Sequence, residues 1–497
     1  MPDQATSELP SETAVEDLTD IEAIKRRSVS GIIAVSFRNF FLQIIAVVAN
    51  FLFGIFLLPS EYGIFFGVSA IIDFFVIFSD VGLAAALIQK KDSLTRRDLS
   101  TTFTIQQILV VVLVGLALFL SSPIGRFYNL SHEGINLFRA LALSLMLASL
   151  KTIPAIRLER RLKFSKLVIP EILENLSFYS VAVFLAIQGF GVTAFTWAVL
   201  VRGVIGVISI YFLSPWRPTF SIDSQVIRQL LSFGAPFQVN SIIAFIKDKL
   251  LIAYLFKILS PTQVGYIGWA QKWSHYPLQL IMGPVNKVAF PAYSRLQNQT
   301  NLLKNAIEKA LFFISLLLFP LVLGLIAVAP AFIRVFSRYS QWQPALPSLS
   351  LFGIAVLWSS ISTTLTNTLS ATGHINTNLK LMVMWTTLTW IATPLLISQF
   401  GFNGMALASS LVAFTSIVPI IIVKRLIPIS VAVNVLPSLA IAIFISLIAY
   451  SLSTQVTTLL GLFSVIVLSG LVYAGLSLLF QKQKLLHHSQ TLINAFK

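Results

Sequence analysis

Seven basic side chains lie inside long apolar stretches of this sequence: Arg38, Lys151, Arg202, Lys247, Lys249, Lys272 and Lys287. A lone charge at mid-bilayer costs about 2.5–3.5 kcal/mol on insertion scales. Seven of them facing lipid would cost on the order of 20 kcal/mol, more than the whole stability of a typical domain. Lys151 and Lys287 lie near enough to the ends of their stretches to reach the interface along their own stems. The others need an opposite charge or a cavity. Acids are scarcer than bases here, so pairing cannot cover the whole set. A cavity with surplus positive charge suits an anion, and lysine and arginine are natural phosphate binders.

At 100° per residue, helical geometry groups the polar residues. In the stretch 264–290, Gln271, Lys272, His275, Gln279 and Asn286 share an arc of about 100°. In 234–258, Asn240, Ser241, Lys247 and Asp248 share about 120°, with Lys249 adjoining. Ser69, Asp73 and Asp80 share about 40° in 63–88. Asn39, Gln43 and Asn50 do the same in 31–58, with Arg38 about 100° away. Four helices thus each carry a polar stripe on an apolar cylinder, as helices lining a water-filled cavity do. The competing reading is mutual pairing, with Asp248, Asp73, Asp80, Glu171 and Glu174 as the available partners. For His275, a hydrogen-bonded structural role is as good a reading as a proton switch. The hydroxyls crowding 359–367 suit helix packing more than substrate binding. No metal-ligand spacing, Ser-His-Asp set, phosphate loop or dinucleotide fingerprint occurs in a suitable context. No catalytic residue, metal or cofactor is therefore expected, and coupling to H+ or Na+ stays open.

The elements that position these stripes follow from composition. Of 497 residues, 56% are hydrophobic and 11% charged, with mean hydropathy +0.85. Soluble domains carry about 25% charged residues. This composition excludes a soluble enzyme, a disordered protein and a nucleic-acid partner. There are no cysteines, hence no disulfide and no thiolate metal site. Fourteen apolar stretches meet the roughly 17–25 residues that a membrane-crossing helix requires. The expected fold is therefore an all-α polytopic membrane protein of about 14 transmembrane helices. With the N-terminus in the cytoplasm, inside segments hold 23 basic residues and outside loops five, so both termini are placed inside. Residues 1–27 read as an acidic cytoplasmic tail, expected to be disordered, which closes on Lys25, Arg26 and Arg27. No loop exceeds about 20 residues, which leaves no room for an extramembrane catalytic domain.

An internal repeat organises the helices. Leu58-Pro59-Ser60-Glu61-Tyr62-Gly63 matches Ser260-Pro261-Thr262-Gln263-Val264-Gly265 at an offset of 202. Proline followed by glycine suits a tight turn between helices. Phe190-Gly191-Val192-Thr193-Ala194 likewise resembles Phe400-Gly401-Phe402-Asn403-Gly404. Together they predict two six-helix lobes in parallel orientation, at 28–215 and 234–425. A linker at 216–233 joins them, two further helices occupy 426–480, and a cytoplasmic tail fills 481–497.

Several motifs resemble the polysaccharide-biosynthesis (Wzx/WzxC-like) flippases of the multidrug/oligosaccharidyl-lipid/polysaccharide (MOP) exporter superfamily. They are the turn at 58–63, Asp80-Val81-Gly82-Leu83 with Ala86-Leu87-Ile88-Gln89, and Leu158-Glu159-Arg160-Arg161-Leu162-Lys163-Phe164. Phe290-Pro291-Ala292-Tyr293-Ser294-Arg295-Leu296 and Ser370-Ala371-Thr372-Gly373-His374 complete the set. The resemblance implies a non-enzymatic flippase of the bacterial cytoplasmic (inner) membrane. It implies translocation of an undecaprenyl-diphosphate-linked oligosaccharide for exopolysaccharide, capsule or O-antigen assembly. Membrane lipids, and a polysaccharide polymerase or other assembly proteins, would be its partners. The candidate substrate-binding residues remain those of the polar stripes: Arg38, Asn39, Gln43, Asp73, Asp80, Arg202, Asn240, Lys247, Asp248, Lys249, Gln271, Lys272, His275, Gln279, Asn286 and Lys287. A drug/cation antiporter of the same superfamily would prefer an acidic cavity. A membrane glycosyltransferase or ligase would need a larger loop, and a scaffold would not need charged stripes.

Overall fold

The computed structural model describes residues 21–80, 82–90, 92–230 and 245–496, with side chains described from Arg38 to Leu485 apart from Lys247 and Asp248. The described residues form helices and connecting turns, with no strand among them. By contact, the chain divides into two units. Unit 1 comprises residues up to Leu52 and Gly67–Ala253. Unit 2 comprises Phe53–Phe66 and Tyr254 onward.

Unit 1 contains most of α1 (Ile21–Phe56) and α2 (Pro59–Ile77). It continues through α3 (Leu83–Gln89), α4 (Arg96–Phe127), α5 (His132–Leu150), α6 (Thr152–Arg160), α7 (Phe164–Ile187) and α8 (Val192–Leu213). Helix α4 starts where a capping box satisfies its first donors. The Thr95 hydroxyl accepts from the Asp98 N–H at 3.1 Å, and the Asp98 carboxylate accepts from the Thr95 N–H at 2.9 Å. Lys90 adds an ion pair to Asp98 at 2.8 Å. The basic motif after α5 is structural. The Arg160 guanidinium donates to the carbonyls of Leu87, Lys90 and Asp92 at 2.7, 2.6 and 2.8 Å. Those bonds fasten α6 to the end of α3 and its following turn.

Unit 2 contains α9 (Leu251–Ile258), α10 (Pro261–Leu296), α11 (Thr300–Val335), α12 (Leu346–Ala371), α13 (Ile375–Phe400), α14 (Asn403–Phe414), α15 (Ile417–Leu426), α16 (Val431–Ser453) and α17 (Leu459–Phe496). Helix α11 packs against α16 and α12 around Leu311, Leu318, Phe319, Val356 and Leu365. Helix α10 carries Pro277, Pro284 and Pro291 in its interior. Each removes one ladder hydrogen bond and strains the turn before it.

Twelve helices are long and apolar enough to span a bilayer among the described residues, and the chain is a multi-pass membrane protein. Residues 234–244 of the seventh expected span lie outside the description, and the rest forms the π turn at Ile246–Leu250 and α9. The eighth is α10, a continuous helix whose polar stripe lowers its hydropathy and keeps it out of the twelve.

The repeated turns lie together in unit 2, and their capping is duplicated. The Leu58 N–H donates to Glu61 Oε2 at 2.8 Å, and the Ser260 N–H donates to Gln263 Oε1 at 3.1 Å. Sequence spacing suggested that glycine serves here for backbone freedom in a turn. The structure assigns it another use: Gly63 and Gly265 lie inside α2 and α10, where the two helix starts press backbone on backbone. A Cβ on Gly63 would stand 1.8 Å from the Pro261 carbonyl oxygen, and one on Gly265 would stand 1.9 Å from that of Pro59. The short 3-10 segment Ser337–Ala345 secures the same turn. Its Trp342 indole N–H donates to the Gly54 carbonyl at 2.9 Å, and Gln341 donates to the Gly54 and Leu57 carbonyls at 3.2 and 3.0 Å.

Because backbone cannot swing aside as a side chain can, Gly63→Ala and Gly265→Ala should each destabilise by about 2–3 kcal/mol or more. Both substitutions open the same crossing, so the double variant should lose less than the sum of the two. Thermal unfolding of the four proteins in one detergent reads this directly; strictly additive losses would contradict a shared contact.

Candidate functional site

In unit 1 the charges within the apolar helices assemble around two carboxylates of α7. Glu171 and Glu174 are three residues apart and so share one helix face. Arg38 of α1 forms an ion pair with Glu171 and also donates to the Asn39 side-chain oxygen at 2.8 Å. Lys151, at the junction of α5 and α6, donates to Glu174 at 2.6 Å. Arg202 of α8 brings its Nε to 3.9 Å from the same carboxylate and rests its guanidinium 5.8 Å from the Phe178 ring centre. Gly206 makes this possible, since a Cβ there would meet the Glu174 carboxylate at 2.3 Å. Glu174 is 8% exposed, whereas the Arg202 side chain is 46% exposed. Arg202 is thus tethered rather than enclosed.

A second pair joins Lys249 to Asp73 at 2.7 Å, both about half to one-third exposed. Here Ile246–Leu250 forms a π turn just before α9, a local widening that appears often at functional positions. Asn240 and the side chains of Lys247 and Asp248 lie outside the described residues. Asp80 sits apart from both pairs. Its carboxylate accepts from the Ala84 N–H at 3.2 Å at the start of α3, and from the Gln106 amide at 3.4 Å. Burial raises its carboxyl above the usual range, and the Ala84 bond opposes the rise. Gln43 is turned inward, with a buried amide nitrogen that has no hydrogen-bond partner among the described residues.

In unit 2 the stripe lies along α10. His275 Nδ1 is 2.8 Å from the Gln271 carbonyl oxygen, so the imidazole is held by its own helix. The Lys272 ammonium lies 5.7 Å from the Tyr276 ring centre, within cation–π range. Asn286 accepts from the Asn367 amide of α12 at 3.0 Å, while Gln279 and Lys287 are exposed. Sequence spacing thus placed the α10 residues on one face. It named Glu171 and Glu174 only as pairing partners, and their role as the hub of three bases depends on contacts between helices far apart in sequence.

Unit 2 also carries a partly open cavity that the sequence did not announce. Its volume is about 880 Å³, and it is lined by apolar faces of α10, α11, α16 and α17, among them Trp269, Trp273, Leu321, Gly324, Gly470 and Tyr473.

If Glu174 is the shared counter-charge, Glu174→Gln should cost about 2–3 kcal/mol, below the fully buried value because Lys151 and Arg202 keep some access to water. Adding Lys151→Met should recover part of that loss. A double variant less stable than Glu174→Gln alone would show that the pair is not coupled.

A family model described as "Polysaccharide biosynthesis protein" matches residues 55–347. Over 286 residues the chain is 28% identical to the teichuronic acid biosynthesis protein TuaB of Bacillus subtilis (strain 168), covering 56% of this chain and 57% of that one. Over 298 residues it is 23% identical to the succinoglycan biosynthesis transport protein ExoT of Rhizobium meliloti (strain 1021), covering 60% of each. These matches span less than two-thirds of either relative. The fold is shared with a solved lipid II flippase, MurJ, in an inward closed conformation. The TM-score is 0.75 at 16% identity, over 90% of this chain and 99% of that one. With the family match running from the end of α1 to the start of α12, over more than half of its length, the chain belongs to the polysaccharide biosynthesis protein family.

Proposed function

We propose that this protein is a flippase that moves a lipid-linked oligosaccharide, carried on a polyprenyl diphosphate, across the bacterial cytoplasmic membrane for surface polysaccharide assembly. It performs no chemical conversion on its cargo. The observation that carries this reading is the cavity of unit 2. Two of its lining residues, Ile466 and Leu485, stand 19 residues apart on α17, about 28 Å along a helix axis. That is nearly the thickness of the hydrocarbon core, about 30 Å. The cavity is therefore long and apolar enough to take a hydrocarbon chain lengthwise.

The other half of such a cargo is anionic and hydrated. Unit 1 supplies cations within its apolar helices: Arg202 tethered but 46% exposed, Lys249 half exposed, and Arg38 against Glu171. Lys272 and the amides of α10 add to these in unit 2. A diphosphate would compete with the carboxylates for these bases, most readily where the present pairing is loose. The succinoglycan transport relative and the lipid II flippase with the shared fold support the same reading. The excess of basic residues on one set of loops orients both ends of the chain to the cytoplasm. A proton or sodium gradient, or consumption of the delivered unit by a polymerase, would drive the cycle.

In cells lacking the protein, a polyprenyl-diphosphate-linked repeat unit should accumulate on the inner leaflet while surface polysaccharide falls. Gly324→Phe should act the same way at normal protein level. Gly324 lines the cavity, and a Cβ there meets nothing within 4 Å, so the ring would fill chain space without disturbing the packing. Unchanged precursor and polymer, with heightened sensitivity to toxic cations, would replace this reading with that of a cation antiporter.

A further inference from the structure

The apolar cavity of unit 2 has a polar end that the reading above does not use. On α17, Ser477, Gln481 and Leu485 follow at four-residue intervals and share one face; Ser477 and Leu485 line the cavity. Gln481 is 4% exposed. Its Oε1 accepts from the Ser438 hydroxyl of α16 at 3.3 Å, and its buried Nε2 has no hydrogen-bond partner. Ser477 is also 4% exposed. Its hydroxyl lies near Tyr473 without completing a hydrogen bond of its own. One turn further on, the Lys484 ammonium donates to the Val433 carbonyl at 2.7 Å and to Asn434 Oδ1 at 3.2 Å. An ammonium carries three donors, so one is left over. The nearby Glu308 carboxylate accepts from the Ser430 N–H at 2.7 Å, which engages part of the one acid in the group.

The unfilled capacity here is of one kind: the Ser477 hydroxyl in the cavity wall, then an amide N–H and an ammonium N–H on the next turns of α17. Leaving such a donor buried and unpaired costs a folded protein stability. A ligand that repaired this deficit would bring several acceptor oxygens and a negative charge, attached to a long hydrocarbon chain.

We propose that Ser477, Gln481 and Lys484 form a phosphate-binding station at this end of the cavity, which holds the head of a polyprenyl phosphate or diphosphate while its chain occupies the cavity. The inference rests on the flippase reading and adds a loading position to it, separate from the cations of unit 1. The basic-residue bias puts this end at the cytoplasmic leaflet, where the cargo is made. Rotation of the flexible Gln481 side chain turns its amide from the helix interface to the phosphate. A glycerophospholipid offers the same phosphate chemistry on two shorter chains, and the probes below separate the two.

The test uses the full-length protein in nanodiscs and three probes: undecaprenyl phosphate, the uncharged alcohol undecaprenol, and phosphatidylglycerol. Binding is followed by native mass spectrometry. The combined variant Gln481→Leu with Lys484→Gln should weaken undecaprenyl phosphate about tenfold, the worth of one charge-assisted hydrogen bond, and leave undecaprenol unchanged. Gly470→Phe, at a cavity position where a Cβ meets nothing within 4 Å, should weaken both. Gln481→Leu alone should weaken undecaprenyl phosphate and leave undecaprenol unchanged; a purely structural glutamine would change both probes or neither. Undecaprenyl phosphate binding that survives the combined variant, or displacement by phosphatidylglycerol at equal concentration, would overturn the station. Normal precursor turnover in cells lacking the protein would instead overturn the flippase reading, whatever the binding data show.

Discussion

A carboxylate in hydrocarbon keeps its charge only beside a cation, and in unit 1 that requirement fixes where four helices meet. Glu174 reaches Lys151 and Arg202 at once, and Glu171 on the same face reaches Arg38. Helices α1, α5, α7 and α8 are thereby held in one register that apolar packing alone, free to slide by a turn, would not specify. Charge pairs seldom add much net stability once desolvation is counted. Their value here is positional, and breaking one leaves a bare charge with nowhere to go. The glycine beneath Glu174 belongs to the same arrangement, since any side chain at Gly206 would push the carboxylate off its partners.

An amphiphilic cargo of the proposed kind would meet two kinds of surface. Hydrocarbon needs only width and length, which α10, α11, α16 and α17 provide with Leu, Gly and Trp. A phosphate needs donors whose present commitments are loose. Arg202 at 3.9 Å meets that description better than Lys151 at 2.6 Å or Lys249 at 2.7 Å. Tightly engaged bases hold the helices; loosely engaged ones can exchange partners.

Much of this was legible in the sequence, and the reasons are specific. Membrane-crossing helices announce themselves because lipid imposes one rule on every residue, so expected spans such as 168–188 and 193–213 fall within a few residues of α7 and α8. The duplicated turn was visible because Pro59 and Pro261 fix a helix start and leave a proline in print. The use of Gly63 and Gly265 was not, since a glycine that permits a turn and a glycine that permits contact look alike on paper. The stripe on α10 followed from its periodicity, but Glu174 as a hub did not, because its two bases, Lys151 and Arg202, stand on other elements whose packing no periodicity records. The cavity was hidden for a related reason: Leu321 and Gly470 lining a cavity are the same letters as Leu and Gly facing lipid.

The prolines of α10 carry a consequence of their own. Pro277, Pro284 and Pro291 recur every seven residues, about 10 Å apart along the axis, each about 20° round from the last. Each leaves the carbonyl four residues earlier without its usual N–H in the ladder. Three interruptions therefore stand along one side of α10 over about 20 Å. Backbone in hydrocarbon must be satisfied by something, so the helix that carries the polar stripe also needs partners from outside its own ladder.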